Sequence, residues 1–275
     1  METIVEFFLN QLKIFNVFSK FGYMFVNDVL VDWLTAFSLN FLLIAFAQRY
    51  PLLTRIGWVH AGILGTILWG CLGWTGWMTV VIYLVLGSLV TKIGYSYKKA
   101  RGIAEGRDGR RGPENVWGSA ATGAILALLF KLFSSFSQYQ YIILIAFASS
   151  FSSKLADTFG SEIGKRWGRK TFLITSLKPV KAGTDGAISF EGTVASLVGS
   201  FVMTLVMYVF SFVNSFSAFL IVLLSGFVAT IAESLFGAIY QDKFKWLTNE
   251  VVNFLQTSFA SILSIWLALI FLTTS

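Results

Sequence analysis

The fold class of this chain is set by an uncharged stretch, TVASLVGSFVMTLVMYVFSF, at residues 193–212. Its length matches the roughly 20 apolar residues that an α-helix needs to cross the hydrocarbon core of a bilayer. The strands of an outer-membrane barrel would instead alternate apolar and polar residues over segments of about ten positions. The continuous run therefore predicts a transmembrane helix.

Comparable apolar runs recur along the whole chain, which is 56% hydrophobic and only 13% charged. Soluble domains carry about 25% charged residues, so this composition excludes a large soluble catalytic domain. We predict an all-α, polytopic transmembrane helix bundle that forms one integral-membrane domain, residues 1–275. About eight spans, with seven to nine as the range, are expected at residues 29–47, 58–72, 77–90, 117–133, 141–151, 193–212, 216–240 and 251–272.

The first 28 residues are expected to form an N-terminal amphipathic helix or a partial span. Glu2 and Glu6 stand where a secretory leader would carry basic residues, so a cleaved signal peptide is not expected. With one cysteine, Cys71, and one histidine, His60, the chain is expected to hold neither an internal disulfide nor a metal cage of cysteine or histidine.

The basic residues are concentrated in two connections between spans. Of the 21 Lys and Arg residues, 15 lie between positions 92 and 181, against five acidic residues in that interval. By the positive-inside rule, the connections at residues 92–116 and 154–192 face the cytoplasm. We therefore predict a multi-pass membrane protein whose functional site faces the cytoplasm.

The connection at residues 154–192 begins with acidic and hydroxyl side chains. Asp157 follows an apolar run, and an unpaired carboxylate inside a span costs about 2.5 to 3.5 kcal/mol on insertion scales. On one helix Asp157 and Ser161 share a face, with Glu162 at its edge. Such oxygen ligands suit Mg²⁺, which takes one or two carboxylates and completes its coordination with water and phosphate oxygens. The spacing therefore indicates a magnesium site.

The same connection continues with cations and a glycine-rich turn: Lys165, Arg166, Arg169, Lys170, Lys178, Lys181 and then Gly183-Thr184-Asp185-Gly186. Cationic side chains, turn N–H groups and a helix start at Glu191 and Gly192 favour phosphate groups. The Walker A pattern GxxxxGK[ST] is absent. The alternative is a solvated basic loop that only sets the topology.

The other basic connection ends in GRDGRRGPENVWGSAAT, residues 106–122. Asn115 follows Pro113 at a helix start, where it is expected to cap the helix. The alternative is that Asn115 binds a phosphate together with Arg107, Arg110 and Arg111.

Glu233 lies inside an apolar run, where an ionisable residue is by default functional. It is expected either to complete a metal shell or to pair with a basic or hydroxyl side chain.

Several helices open with small residues: HAGILG at His60, NVWGSAATG at Asn115, EGTVASLVG at Glu191 and GFVATIAESLFG at Gly226. Small residues at this spacing let helix backbones approach closely in lipid. The alternative is an internal duplication, in which corresponding helix starts converge on one site.

Three motifs give the chain a specific likeness: ENVWGSAATG at residues 114–123, ADTFGSEIGK at 156–165 and LKPVKAGTDGAISFEGT at 177–193. In this order they resemble the phytyl-phosphate kinase family, which includes the eukaryotic transmembrane protein 19-like proteins. The likeness covers about residues 42–271. It implies an integral-membrane kinase that converts phytyl phosphate to phytyl diphosphate with a nucleoside triphosphate, CTP above all, in phytol salvage toward tocopherol or phylloquinone. A bacterial or cyanobacterial membrane is the expected location.

We accordingly predict a phosphotransferase site at the cytoplasmic membrane surface. The catalytic residues are expected to be Asp157, Glu162, Asp185 and Glu191, and the Mg²⁺ ligands Asp157, Glu162 and Glu233. The nucleotide and phosphate contacts are expected from Asn115, Ser161, Lys165, Arg166, Lys178, Lys181, Gly183, Thr184, Gly186, Ser189 and Gly192. Because a phosphate acceptor is already anionic, catalysis reduces to alignment and charge stabilisation. The isoprenoid tail would lie between apolar helices, where Gly118, Gly192 and Gly199 leave room.

Other functions fit the same residues. Within the enzymes, the resemblance extends to CTP-dependent polyprenol or phytol kinases and to membrane cytidylyltransferases. A transporter would use Asp157 and Glu233 as an ion relay, and a membrane scaffold would need neither acid. The expected partners are a nucleoside triphosphate, an isoprenyl phosphate lipid and the bilayer, with no nucleic acid.

Overall fold

The computed structural model describes residues 28–133, 137–241 and 243–272; the predicted N-terminal amphipathic or partial span, apart from Asp28, lies outside these ranges. The helices within them are α1 (Asp28–Ala47), α2 (Arg55–Lys92), α3 (Tyr95–Ala100), α4 (Pro113–Leu132), α5 (Ser137–Trp167), α6 (Phe190–Val209), α7 (Phe216–Phe236) and α8 (Asn249–Phe271). Two short strands, β1 (Phe172–Leu173) and β2 (Ala187–Ile188), pair antiparallel. The predicted polytopic helical bundle is confirmed.

Helix α2 is a hairpin of two helical halves. Gly73 interrupts it with φ +70° and ψ −165°, a conformation that glycine tolerates. The rings of Trp69 and Trp77 lie 5.4 Å apart, although eight residues of straight helix would separate them by about 12 Å. Seven described helices are long and apolar enough to span a membrane. Since α2 crosses twice, they make eight crossings, as the hydropathy pattern predicts.

Helix α5 is the centre of the bundle and packs against α2, α4, α6, α7 and α8. Its 31 residues make it about 46 Å long, which exceeds the roughly 30 Å of the hydrocarbon core. The predicted span at residues 141–151 is therefore too short, and the predicted connection at 154–192 is wrong for its first 14 residues, which are helical. The helix continues through Lys154 and Glu162 because both are buried and paired with opposite charges.

The crossings place the two basic connections on one side of the bundle, which we call the basic side. The connection between α2 and α4 contains the short helix α3 and a 3₁₀ turn at Arg107–Gly109. The connection between α5 and α6 contains the strand pair and two left-handed glycines, Gly183 and Gly186. Helix α7 runs into a π-helical turn, Gly237–Gln241, on this same side.

Close helix packing in the core depends on glycines. A Cβ atom on Gly199 of α6 would lie 2.8 Å from the carbonyl oxygen of Leu155 in α5, and one on Gly118 of α4 would lie 2.8 Å from that of Glu250 in α8. A Cβ on Gly226 would meet the hydroxyls of Ser152 and Ser200 at 2.5 and 2.7 Å. Three of the small-residue runs are thus used for packing.

We expect Gly199→Leu to lower the stability of the folded protein, because a side chain there collides with backbone. Overpacking a core costs about 1 to 3 kcal/mol. Val198→Leu is the matched control, since Val198 is exposed toward the lipid on the next position of the same helix. Thermal unfolding of the two variants in detergent measures the difference. Equal melting temperatures would contradict the α5–α6 packing.

The topology predicts opposite accessibilities for two engineered cysteines in a Cys71→Ser background. Lys170 lies in the α5–α6 connection on the basic side, and Trp74 lies at the turn of the α2 hairpin on the other side. An impermeant maleimide added to intact cells should label Trp74→Cys and spare Lys170→Cys. The reverse result would invert the orientation that the positive-inside rule predicts.

Candidate functional site

A polar cavity of about 510 Å³ opens on the basic side, between the ends of the helices and the two basic connections. Five cations line it, Arg107, Arg110, Arg111, Lys154 and Lys165, together with six carboxylates, Glu105, Asp157, Glu162, Asp185, Glu233 and Glu250. So many charged groups at the end of an apolar bundle are costly unless they pair or bind a charged ligand. The cavity is therefore the candidate site.

Three helices direct their N-termini at this cavity. Helix α4 contributes Asn115, α6 contributes its N-cap Ser189 and Gly192, and α8 contributes Asn249 and Glu250. A helix N-terminus carries unpaired N–H groups and the positive end of the helix dipole, which favour phosphate and other anions. This convergence of helix starts is what the duplication hypothesis expects. The run at His60 does not line the cavity, and the run at Gly226 lines it from the middle of α7, not from a helix start.

The floor of the cavity is an ion pair within the membrane-spanning part of α5. Lys154, 5% exposed, donates to one oxygen of Asp157 and, at 2.7 Å, to Oδ1 of Asn253 in α8. Among the described residues, no protein group bonds the second oxygen of Asp157. The pair explains how Asp157 tolerates its depth in the span.

A second chain of charges ties the α2–α4 connection to α5. Lys98 of α3, which is fully buried, bonds Oε2 of Glu162 and donates to the Thr91 carbonyl at 2.8 Å. Lys165 lies 3.1 Å from Oε1 of Glu162 and 3.4 Å from Glu105. Both oxygens of Glu162 are thus held by lysines. These ion pairs fix Lys165 at the cavity wall.

Arg111 is positioned by a buried tyrosine. Its guanidinium donates to the Tyr83 hydroxyl at 2.6 Å, and that hydroxyl lies 3.1 Å from Ser119 Oγ. A Cβ atom on Gly87 would lie 2.6 Å from the Arg111 guanidinium, so glycine provides the room. The arrangement places one rigid cation between α2 and α4 at the cavity.

Most residues predicted for the site line the cavity: Asn115, Asp157, Ser161, Glu162, Lys165, Gly183, Thr184, Asp185, Gly186, Ser189, Gly192 and Glu233. Ser189 and Asn115 also make bonds at the helix starts. The Ser189 hydroxyl accepts from the Gly192 N–H at 3.1 Å, and Asn115 accepts from the Gly112 N–H at 2.9 Å while donating to Glu250. The N-cap of α4 is Gly112, not Asn115 as predicted. Asn115 is the third residue of the helix, where it completes a capping box and also faces the cavity.

Four predicted residues do not line the cavity, and their placement corrects the prediction. Arg166 is half-buried against α3, where it lies over the ring of Tyr97, 4.5 Å from its centroid. Lys178 and Lys181 are exposed on the loop that joins β1 to β2. Glu191 precedes the cavity-facing Gly192 by one residue, which turns its side chain about 100° around α6.

The described residues contain no group of three acidic, histidine or cysteine side chains that would form a complete metal cage. The predicted triad of Asp157, Glu162 and Glu233 is therefore not assembled. Asp157 and Glu233 both face the cavity, whereas Glu162 is held by two lysines. Mg²⁺ is often held by one or two carboxylates and takes its remaining ligands from water and phosphate, so Asp157 and Glu233 are a candidate pair of ligands.

Sequence reasoning missed several residues of the site: Tyr83, Lys98, Lys154 and Asn253. Lys154 had a usable signal, because opposite charges three residues apart on a helix face each other. Lys98 had no such signal. The sequence does not distinguish it from its neighbour Lys99, which is exposed and forms a surface pair with Asp108.

Comparison with known proteins places this architecture among membrane proteins of one family. The model of the family described as integral membrane protein DUF92 matches residues 38–261. An uncharacterized membrane protein of Synechocystis is 45% identical over 235 residues, covering 85% of this chain and 90% of that protein. Protein VTE6, chloroplastic, of Arabidopsis thaliana is 40% identical over 239 residues, covering 85% of this chain and 71% of that protein.

A more distant relative, an uncharacterized membrane protein of Methanocaldococcus jannaschii, is 32% identical over 76% of this chain and 83% of its own length. No solved structure matches the chain significantly. The matches confirm the family resemblance that the three sequence motifs indicate.

The buried Lys98–Glu162 pair predicts a large stability effect. Lys98→Met leaves part of the buried Glu162 charge uncompensated, and breaking such a pair typically costs about 3 to 5 kcal/mol. Lys99→Met is the matched control, since an exposed pair contributes about 0 to 1 kcal/mol. Thermal unfolding in detergent measures both, and Glu162→Met added to Lys98→Met should restore part of the loss. Equal effects of the two single substitutions would contradict the buried pair.

Proposed function

The chain belongs to the DUF92 family of integral membrane proteins, and on that premise we propose that it is a membrane-bound kinase. It transfers the terminal phosphoryl group of a nucleoside triphosphate, CTP above all, to an isoprenyl monophosphate such as phytyl phosphate. The observation that carries the proposal is the charged cavity at the end of an apolar bundle, where three helix N-termini and five cations face one space. The resemblance of the motifs to those of phytyl-phosphate kinases supports phytyl phosphate as the acceptor.

The transfer needs few catalytic groups. An oxygen of the acceptor phosphate attacks the terminal phosphorus of the triphosphate, a new P–O bond forms, and the bond to the departing nucleoside diphosphate breaks. The attacking oxygen is already anionic, so no side chain has to remove a proton. The protein therefore has to align two anionic groups and neutralise their mutual repulsion.

The cations of the cavity are suited to that task. Lys154 on α5 and Arg111 beside Tyr83 are held in place by buried partners, and Lys165 is held by Glu162. Preorganised charges of this kind stabilise a transition state without reorganising during the reaction. We assign Lys154, Lys165 and Arg111 to the phosphates, with the N-termini of α4 and α6 contributing N–H groups.

The pairing of the cavity cations with carboxylates supports a role for a divalent cation. Lys154, Lys165 and Arg107 already pair with carboxylates, so they offset only part of the charge of a bound triphosphate. Asp157 and Glu233 are the residues that would hold Mg²⁺. When bound, the ion would neutralise phosphate charge and orient the triphosphate. Glu162 acts in this proposal through Lys165 and is a positioning residue.

The test is product analysis with purified protein in detergent, supplied with phytyl phosphate, Mg²⁺ and, separately, CTP, ATP, UTP or GTP. A kinase forms phytyl diphosphate and a nucleoside diphosphate, and EDTA stops the reaction. Release of pyrophosphate with a CMP-linked lipid would instead identify a cytidylyltransferase. Flux of phytyl phosphate into liposomes without nucleotide would identify a transporter. No product with any donor would refute the kinase.

We expect Asp157→Asn to lower the rate of diphosphate formation about a hundredfold, the usual scale for loss of one preorganised electrostatic group. The amide keeps the size and a hydrogen bond to Lys154 but removes the charge. Asp108→Asn is the matched control, because Asp108 is exposed on the same side and does not line the cavity. An unchanged rate in Asp157→Asn would remove Asp157 from the site.

A further inference from the structure

The cavity reaches the lipid-facing surface of the bundle between α6 and α7. Ile231 of α7 lines the cavity and is also 42% exposed, and Thr193 of α6 lines it and is exposed as well. Ile231 lies 15 residues beyond the start of α7 at Phe216, or about 22 Å along the helix. A hydrocarbon core of about 30 Å therefore still surrounds it. The exposed part of Ile231 faces acyl chains.

Contacts to α7 lie on both sides of this point: α6 makes those nearer the bilayer centre, and Gly186 of the α5–α6 connection makes the one nearer the basic side. Toward the bilayer centre, Ser200 of α6 donates to the Leu223 carbonyl of α7 at 2.8 Å, and the rings of Phe201 and Phe219 lie 5.9 Å apart. Toward the basic side, Gly186 packs so closely on α7 that a Cβ atom there would lie 2.5 Å from the Ser234 carbonyl oxygen. These contacts leave an interval between them.

That interval extends from Gly226 to Ser234, a separation of eight positions or about 12 Å of helix. Its borders are Thr193 on α6 and Phe227, Thr230 and Ile231 on α7, all of which line the cavity. We call it the α6–α7 portal.

Neighbouring walls of the cavity are closed by backbone contact. On α5, a Cβ atom at Gly160 would lie 2.0 Å from Ser196 Oγ and 3.2 Å from the Gly192 carbonyl oxygen. Between α4 and α8, one at Gly118 would lie 2.8 Å from the Glu250 carbonyl oxygen. A hydrocarbon chain that leaves the cavity toward the lipid therefore has less space at these two contacts than at the α6–α7 portal.

We propose that the α6–α7 portal admits the isoprenoid chain of the lipid phosphate from the bilayer, while the phosphate head lies in the cavity. The inference rests on the proposed function for the identity of the lipid. Eleven charged side chains line the cavity, which must also hold a triphosphate. Moving a long hydrocarbon chain from the bilayer into such a polar space brings no favourable free energy. Through the portal the chain stays against Val194, Leu197 and Val228, which are exposed to lipid.

The direct test is photolabelling of the wild-type protein in nanodiscs with a phytyl phosphate analogue that carries a diazirine in the middle of its chain. Peptide mapping should place the label on α6 and α7 beside the portal, at residues 193–197 and 227–231. Excess phytyl phosphate should remove it, whereas phytol, which lacks the head group, should compete poorly. Label concentrated on α1, α2 or α8, or label that phytyl phosphate does not displace, would overturn the portal.

Substitutions that fill the portal provide the matched comparison. Ile231→Trp should lower the labelling yield about tenfold, because the indole occupies the space of the chain. Ile262→Trp makes the same substitution at a lipid-exposed position of α8, away from the portal, and should change the yield less than about twofold. Thr193→Trp repeats the test from the α6 border. Equal yields in Ile231→Trp, Thr193→Trp and Ile262→Trp would overturn the proposal.

The two proposals fail separately. If wild-type protein forms no diphosphate with any nucleoside triphosphate, the kinase is refuted, and the labelling pattern still decides the portal. If diphosphate forms normally in Ile231→Trp and Thr193→Trp with phytyl phosphate, the portal is refuted and the kinase stands.

Discussion

The structure depends on one constraint, which is that charged side chains inside a membrane bundle must be paired. Helix α5 carries Lys154, Asp157 and Glu162 through the middle of the fold, and none of them is left to face lipid. Their partners come from distant parts of the chain: Lys98, 64 residues before Glu162, and Asn253, 99 residues after Lys154. The pairing draws α3 and the start of α8 onto α5. It thereby fixes where both basic connections fold and where the cavity lies between them.

The same charges that hold the bundle together give the cavity its chemistry. Lysines held by buried partners cannot swing away, so they present fixed positive charge to whatever binds. The starts of α4, α6 and α8 add N–H groups on the same side, because helices that run in the same direction across a membrane begin on one face. A polar space built this way at the membrane surface is suited to a lipid with an anionic head. The interval between α6 and α7 connects that space with the bilayer.

Hydropathy alone predicts the eight crossings, since a bilayer requires about 20 apolar residues per span and the chain supplies them. It fails at the end of α5, because a local pattern treats Lys154 and Asp157 as the start of a loop. Whether a charge ends a span depends on its partner, and Asn253 and Lys98 are not visible in the sequence around it. The cavity-lining residues from Gly183 to Gly192 were predictable from glycine and hydroxyl content. The sequence does not distinguish the cations that line the cavity from Arg166, Lys178 and Lys181, which do not line it. Charge alone does not reveal which side of a helix or turn a residue occupies.

The most direct measurement is an experimental structure of the protein in lipid with phytyl phosphate, Mg²⁺ and a non-hydrolysable nucleoside triphosphate. The account predicts that the acceptor phosphate lies within contact of Lys154, Arg111 or Lys165, with the metal at Asp157 or Glu233 and the isoprenoid chain leaving between α6 and α7. Phosphate groups bound on the opposite side of the bundle, or outside the cavity among the exposed lysines at 178 and 181, would contradict it.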